Sequence, residues 1–228
     1  MAKFIFTPLL KNTWLVFVLA FLILTGCDKE NKIVDPVSEN KHLKESSFIK
    51  EFSKDDVLKL NPLFAAYVQN GIKVYKVNYK TTNTDGTEIT ASGAVIFPVS
   101  DKPLSMISVQ HGTITSDTEA PSNFAPNSEA ATFGSLFGAM GYIIVYPDYI
   151  GYGASKDLPH PYEHRASLGS ASLDLLRATK ELLKTQKEVK WDEKLFLAGY
   201  SEGGYATMSL QKRIEEEAPT EFNLRASS

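Results

Sequence analysis

Gly199-Tyr200-Ser201-Glu202-Gly203-Gly204 is the stretch of this chain best suited to covalent chemistry. A G-x-S-x-G run between a strand and a helix turns the backbone so sharply that the serine hydroxyl stands clear of the sheet. Glycines at 199 and 203 permit that turn. A serine hydroxyl near pH 7 is a poor nucleophile unless a base takes its proton, normally a histidine held in the right tautomer by a carboxylate. A helix starting just after Ser201 would also aim free N–H groups and the positive end of its dipole at negative charge forming there. All four histidines, His42, His111, His160 and His164, precede Ser201. Ser201 is expected to be a catalytic nucleophile.

Acyl transfer also needs two backbone donors for the oxyanion, one of them on the residue after the nucleophile. That residue is Glu202, whose N–H is expected to matter more than its carboxylate. The second donor is assigned to Thr113, in the loop Gln110-His111-Gly112-Thr113 that follows an apolar strand. His111 is read as bracing that loop rather than as a base. Two other motifs carry less. Gly151-Tyr152-Gly153-Ala154-Ser155-Lys156 has glycines but lacks phosphate-loop spacing, so it reads as a loop shaping the site. His160 and His164 stand four apart, as on a zinc-binding helix, but Pro159 and Pro161 oppose a helix across the pair. No metal and no cofactor are expected.

The elements that must position these residues follow from periodicity. Alternating apolar residues over 72–82 and 88–97, joined by Asn83-Thr84-Asp85-Gly86, predict a leading β-hairpin. Caps and leucines over 53–70 suit short helices broken at Pro62. Strand-like apolar runs at 104–109, 142–146 and 195–198 then alternate with helical stretches, and 222–226 begins one more strand. The small-residue stretch 128–140 suits a helix. Ala171, Leu175, Leu176, Thr179, Leu182 and Leu183 form one helical stripe, and Ala206, Leu210 and Ile214 another that stops before Pro219. Strands alternating with crossover helices imply an α/β class, with a mostly parallel, doubly wound sheet covered on both faces.

The chain has 228 residues, 43% of them apolar and 22% charged, in keeping with one globular domain holding a real core. Its net charge of −3, with lysine and arginine scattered among acids, gives no footprint for nucleic acid. Residues 1–26 read as a secretory signal: Lys3 and Lys11 accompany an apolar run over 14–24. Eleven residues as helix reach about 16 Å, half of a ~30 Å hydrocarbon core, so a spanning helix is the weaker reading. Leu24-Thr25-Gly26-Cys27 resembles a bacterial lipobox, and Cys27 is the only cysteine. Acylated Cys27 would hold the protein on a membrane as a lipoprotein of the bacterial envelope. Residues 27–47 are then a polar tether and 48–228 the catalytic-type domain.

His111-Gly112-Thr113, the run Tyr146-Pro147-Asp148-Tyr149-Ile150-Gly151-Tyr152-Gly153 and Gly199-Tyr200-Ser201-Glu202-Gly203-Gly204 together resemble the bacterial α/β-hydrolase superfamily, nearest to secreted lipase or esterase-like lipoproteins. The resemblance runs from about residue 72 to the end. It implies an eight-stranded sheet, a serine nucleophile, and ester or amide hydrolysis through an acyl-enzyme, with small or lipid-like esters the expected substrates. It places strands three, four and five at 104, 142 and 195 and starts the sixth at 222. It also orders the catalytic residues as serine, acid, histidine, so the acid and histidine would follow strands seven and eight, which these residues do not include. The expectation is an α/β-hydrolase domain incomplete after the start of its sixth strand, inactive as written and marginal in stability. The alternative is a non-catalytic lipoprotein that keeps the pocket for ligand binding.

Overall fold

The computed structural model describes residues 40–228 except 61 and 127. The expected signal peptide, Cys27 and the tether as far as residue 39 lie outside the described residues. Seven strands form one sheet: β1 (Leu43–Phe52), β2 (Ile72–Thr82), β3 (Glu88–Pro98), β4 (Pro103–Gln110), β5 (Tyr142–Pro147), β6 (Lys190–Gly199) and β7 (Asn223–Ser227). Their order across the sheet is β1-β2-β3-β5-β4-β6-β7. The pairings divide evenly. β1 with β2, β2 with β3 and β3 with β5 are antiparallel, whereas β4 with β5, β4 with β6 and β6 with β7 are parallel.

The hairpin β2–β3 turns at Asn83-Thr84-Asp85-Gly86, where Gly86 N–H donates to Asn83 O at 3.0 Å and Gly86 takes φ +86°. β1 is a correction to the sequence reading, which ran a tether to residue 47. Leu43 already pairs with Tyr79, and the ladder continues to Phe52 opposite Ile72. This edge strand is wet along most of its length and has register shifts after Leu43 and after Phe48. A strand whose side chains face water on both sides carries no apolar alternation, so pattern reading cannot find it; charged residues and bulges are the usual marks of an edge. Its start is pinned by Glu181, whose carboxylate accepts from the N–H groups of Lys41, His42 and Leu43, at 2.7 Å from the last. With β1 counted, the strand expected as the sixth is the seventh.

Among the described residues four α-helices cover the sheet. α1 (Lys54–Leu60) is capped by Ser53, whose Oγ accepts from Asp56 N–H at 3.1 Å. A π-helical turn (Ala130–Gly134) runs into α2 (Ser135–Ala139), and α3 (Arg165–Leu183) and α4 (Glu202–Glu217) are the long crossovers. The period-two alternation divides the core. Val95, Phe97, Ile143, Val145, Leu195 and Leu197 face α3 and α4, packing on Leu175, Leu176, Leu210 and Ile214. Ala94, Ile96, Ile144 and Tyr146 face the other way, onto Leu136 and Ala139. A sheet buried on both faces is the reason its central strands read as continuous apolar runs. α3 is locked to the sheet by Asp174, which accepts from Thr81 Oγ1 at 2.8 Å and from Arg177 at 3.2 Å.

The chain leaves β4 through α2 toward β5, then returns through α3 on the opposite face to β6 on the far side of β4. The connections thus reverse direction between β4 and β6. In an open α/β sheet the crevice beyond the carboxyl ends of such strands is the usual ligand site. Here those ends are Gln110 and Gly199, which pair with each other.

Candidate active site

Ser201 sits at this crevice, on the bend between β6 and α4. It is exposed and takes φ +56°, ψ −128°, a region that L-residues adopt only under strain. Two close approaches form the bend. A side chain on Gly203 would strike the carbonyl oxygens of Gln110 and His111, and one on Gly199 would strike the Gly203 carbonyl and Thr207. The glycines at 199 and 203 therefore let the start of α4 press against the end of β4. Gly204 N–H closes the first turn onto Ser201 O at 2.9 Å.

Glu202 is the first residue of α4, so its N–H has no intrahelical acceptor. Thr113 is exposed beyond the end of β4, and its N–H finds no acceptor among the described residues. His111, 1% exposed, faces two backbone carbonyls: Gly112 O lies 2.8 Å from Nδ1 and Asp148 O lies 3.3 Å from Nε2. Its ring packs on Tyr149 with centroids 4.2 Å apart, and the Tyr149 hydroxyl donates to His111 O at 3.2 Å. The imidazole is thereby built into the loop.

The loop after β5 is organised by a buried carboxylate. Asp148 is wholly buried; it accepts from Ser122 N–H at 2.7 Å and from the Ser92 hydroxyl at 2.5 Å. Ser92 Oγ in turn accepts from Ala154 N–H at 2.7 Å. Burial raises the Asp148 carboxyl above the ordinary range, against the pull of its Ser122 and Ser92 hydrogen bonds. A carboxyl whose folded pKa is raised contributes stability that is full below the unfolded value of about 3.9 and is lost as pH rises through the folded value. The stability of the wild type minus that of Asp148→Asn should therefore fall as pH increases from about 4, as urea denaturation would measure. Asp148→Ala, which strands the Ser122 donor, should cost about 3 kcal/mol at neutral pH.

Two further groups at the site have no local signal in the sequence. Glu129 accepts from the Tyr200 hydroxyl at 2.6 Å and from the Tyr146 hydroxyl at 2.8 Å. The Tyr200 ring lies against Gly112, so one carboxylate links the serine bend, β5 and the loop after β4. Glu129, Phe133, Phe137, Tyr146 and Tyr200 line a groove of about 440 Å³ beside Gly199. The second group is a pair. His160 Nε2 lies 2.8 Å from Glu202 Oε1, with the side chains only 14% and 1% exposed. The sequence sets His160 four residues from His164, across prolines that oppose a zinc-binding helix, and gives the Glu202 N–H more weight than its carboxylate. The pair spans 42 positions, which no short motif captures. His164 instead caps α3, its ring accepting from Ser167 N–H at 3.3 Å.

Neither ring nitrogen of any histidine contacts Ser201. His42 Nδ1 is 3.5 Å from Asp174, and the rings of His111, His160 and His164 are engaged as described. Among the described residues there is no cluster of three or more His, Cys, Asp or Glu suited to a metal, and no helix long and apolar enough to cross a membrane.

Residues 131–221 match the secretory lipase family. Among solved structures, the chain is similar to a putative hydrolase from Legionella pneumophila, with 33% identity and a TM-score of 0.75, over 82% of this chain and 51% of that one. It is also similar to the rice cell wall degrading esterase LipA from Xanthomonas oryzae, with 28% identity and a TM-score of 0.72, over 82% and 49%. Lipase A from Candida antarctica in its closed state, 18% identical with a TM-score of 0.54 over 82% and 41%, shares the fold. The chain spans about half the length of the first two. No curated protein matches it. The mixed seven-stranded sheet with flanking helices is a lipase- and esterase-like α/β fold.

Proposed function

We propose that this lipase- and esterase-like fold serves as the nucleophile-bearing part of a carboxylic ester hydrolase that works through an acyl-enzyme on Ser201. The observation that carries the reading is the backbone of Ser201: an exposed serine held at φ +56°, ψ −128° between β6 and α4. Strain of that kind costs about 1–3 kcal/mol and persists where the surroundings enforce it, commonly at reactive positions.

In the proposed reaction Ser201 Oγ attacks the ester carbonyl carbon as its proton passes to a base. The carbonyl oxygen becomes an oxyanion that the N–H groups of Glu202 and Thr113 stabilise. Collapse breaks the bond to the alkoxy oxygen, the protonated base gives its proton to the departing alcohol, and water then hydrolyses the acyl-enzyme. Since all four histidines are engaged elsewhere, we assign the base and its partner acid to polypeptide beyond these 228 residues. The match to only about half the length of the Legionella putative hydrolase and the Xanthomonas esterase supports that assignment. The aromatic groove beside Tyr200 suits a small or lipid-like acyl group. Anchoring through acylated Cys27, with the domain in the bacterial envelope, completes the proposal.

Fluorophosphonate labelling of the complete gene product, followed by peptide mapping, tests the reading. Rapid modification confined to Ser201 is expected. Slow modification, or modification elsewhere, would leave the non-catalytic ligand-binding alternative.

A further inference from the structure

The His160–Glu202 pair lies beside the serine bend, Glu202 buried and His160 half-buried, and its hydrogen bonding constrains where its protons lie. His160 Nδ1 is 2.7 Å from Ile150 O, and a carbonyl can only accept, so Nδ1 carries a proton. Nε2 faces Glu202 Oε1 at 2.8 Å, so a further proton lies between them. With that proton on the imidazole the pair is an imidazolium facing a carboxylate, neutral as a whole. Around it stand Tyr149, Tyr152 and Tyr162, with ring centroids 6.3, 4.9 and 6.3 Å from that of His160. Burial lowers the His160 pKa, but the Glu202 hydrogen bond, the Ile150 carbonyl and the Glu202 charge outweigh it, and the imidazole is held above its ordinary value.

We propose that His160 is a positioning residue that ties the first residue of α4 to the loop after β5 and balances the charge of Glu202, so that the N–H of Glu202 can serve a developing oxyanion. The inference rests on the ester-hydrolase reading. Its physical basis is that Glu202 carries two opposed groups: a backbone donor that favours negative charge at the site and a carboxylate that, unpaired, opposes it. Removing one partner of a buried pair leaves an uncompensated charge. That charge would oppose a second one forming nearby. A pin for the loop alone would need only hydrogen bonds, which neutral side chains can supply.

The difference is measurable in the complete gene product, with Ser201→Ala assayed alongside. His160→Gln keeps a donor but removes the charge; it should lower kcat at least tenfold with KM changed less than threefold. Adding Glu202→Gln to it removes the stranded carboxylate and should restore kcat at least fivefold above His160→Gln. An unchanged kcat in His160→Gln, or a double variant no better than the single, overturns the proposal. Should His160→Gln fail to fold, His160→Asn takes its place in a comparison with Glu202→Gln. Charge balance predicts the smaller kcat loss for Glu202→Gln, and equal losses overturn it. If Ser201→Ala hydrolyses esters as the wild type does, the hydrolase reading itself fails, whatever His160 does.

Discussion

Ser201→Ala should slow ester hydrolysis by the complete gene product on the order of 10⁶-fold in kcat, the scale of removing a catalytic nucleophile that acts in concert with its base. The fold should survive, because the Ser201 side chain makes no hydrogen bond among the described residues. Ser201→Gly separates the two roles of this position. Glycine adopts φ +56° without a Cβ penalty, so this variant should be as inactive as the alanine variant yet more stable than the wild type by about 1 kcal/mol. For a chain of this size that is a rise in Tm of roughly 2–4 °C. A glycine variant that melts below the wild type would mean that the strain is not relieved there, and residual turnover in the alanine variant would remove Ser201 from the chemistry.

Gly203→Ala should be severely damaging for a single methyl group. The added Cβ would meet the Gln110 carbonyl oxygen and lie 2.6 Å from the His111 carbonyl oxygen, both backbone atoms at the end of a central strand. Neither can swing aside as a side-chain tip would. The start of α4 must then lift from β4, carrying Ser201 and the Glu202 N–H with it. We expect a loss of about 3 kcal/mol or more, read as a fall in Tm of roughly 6–12 °C, together with loss of fluorophosphonate labelling. The neighbouring glycine is the control. A Cβ on Gly204 would meet only Gly199 O, at 3.7 Å, so Gly204→Ala should fold normally and gain from better helix propensity. If the two variants melt alike, close packing is not what demands glycine at 203.

Much of this architecture could be read from local pattern because it is locally encoded. The central strands alternate faces, so Ile143 and Val145 mark one layer and Ile144 and Tyr146 the other. The stripes on α3 and α4 repeat at helical spacing, and the serine bend is a six-residue motif with its strand and helix on either side. β1 escaped because its stability comes from backbone pairing with β2 and not from buried side chains. The even division into parallel and antiparallel pairs escaped for a related reason. Partner choice is a property of two strands distant in sequence, and β3 pairs with β5 rather than with its successor β4.

By itself the sequence determined which residues could react and which elements present them: Ser201 at a glycine-permitted bend, the His111 loop after an apolar strand, and helices to cover the sheet. These are short-range properties, set by steric freedom, periodicity and capping within a few residues. Only the tertiary structure decided which polar groups meet. It joined His160 to Glu202, Glu129 to Tyr200 and Tyr146, and Asp148 to Ser92 and Ser122. It also set the histidines to work in the scaffold, leaving Ser201 without a base among them. The reason is physical: burying a carboxylate or an imidazole is costly until a partner arrives, and those partners come from segments brought together only when the sheet and its crossovers have packed.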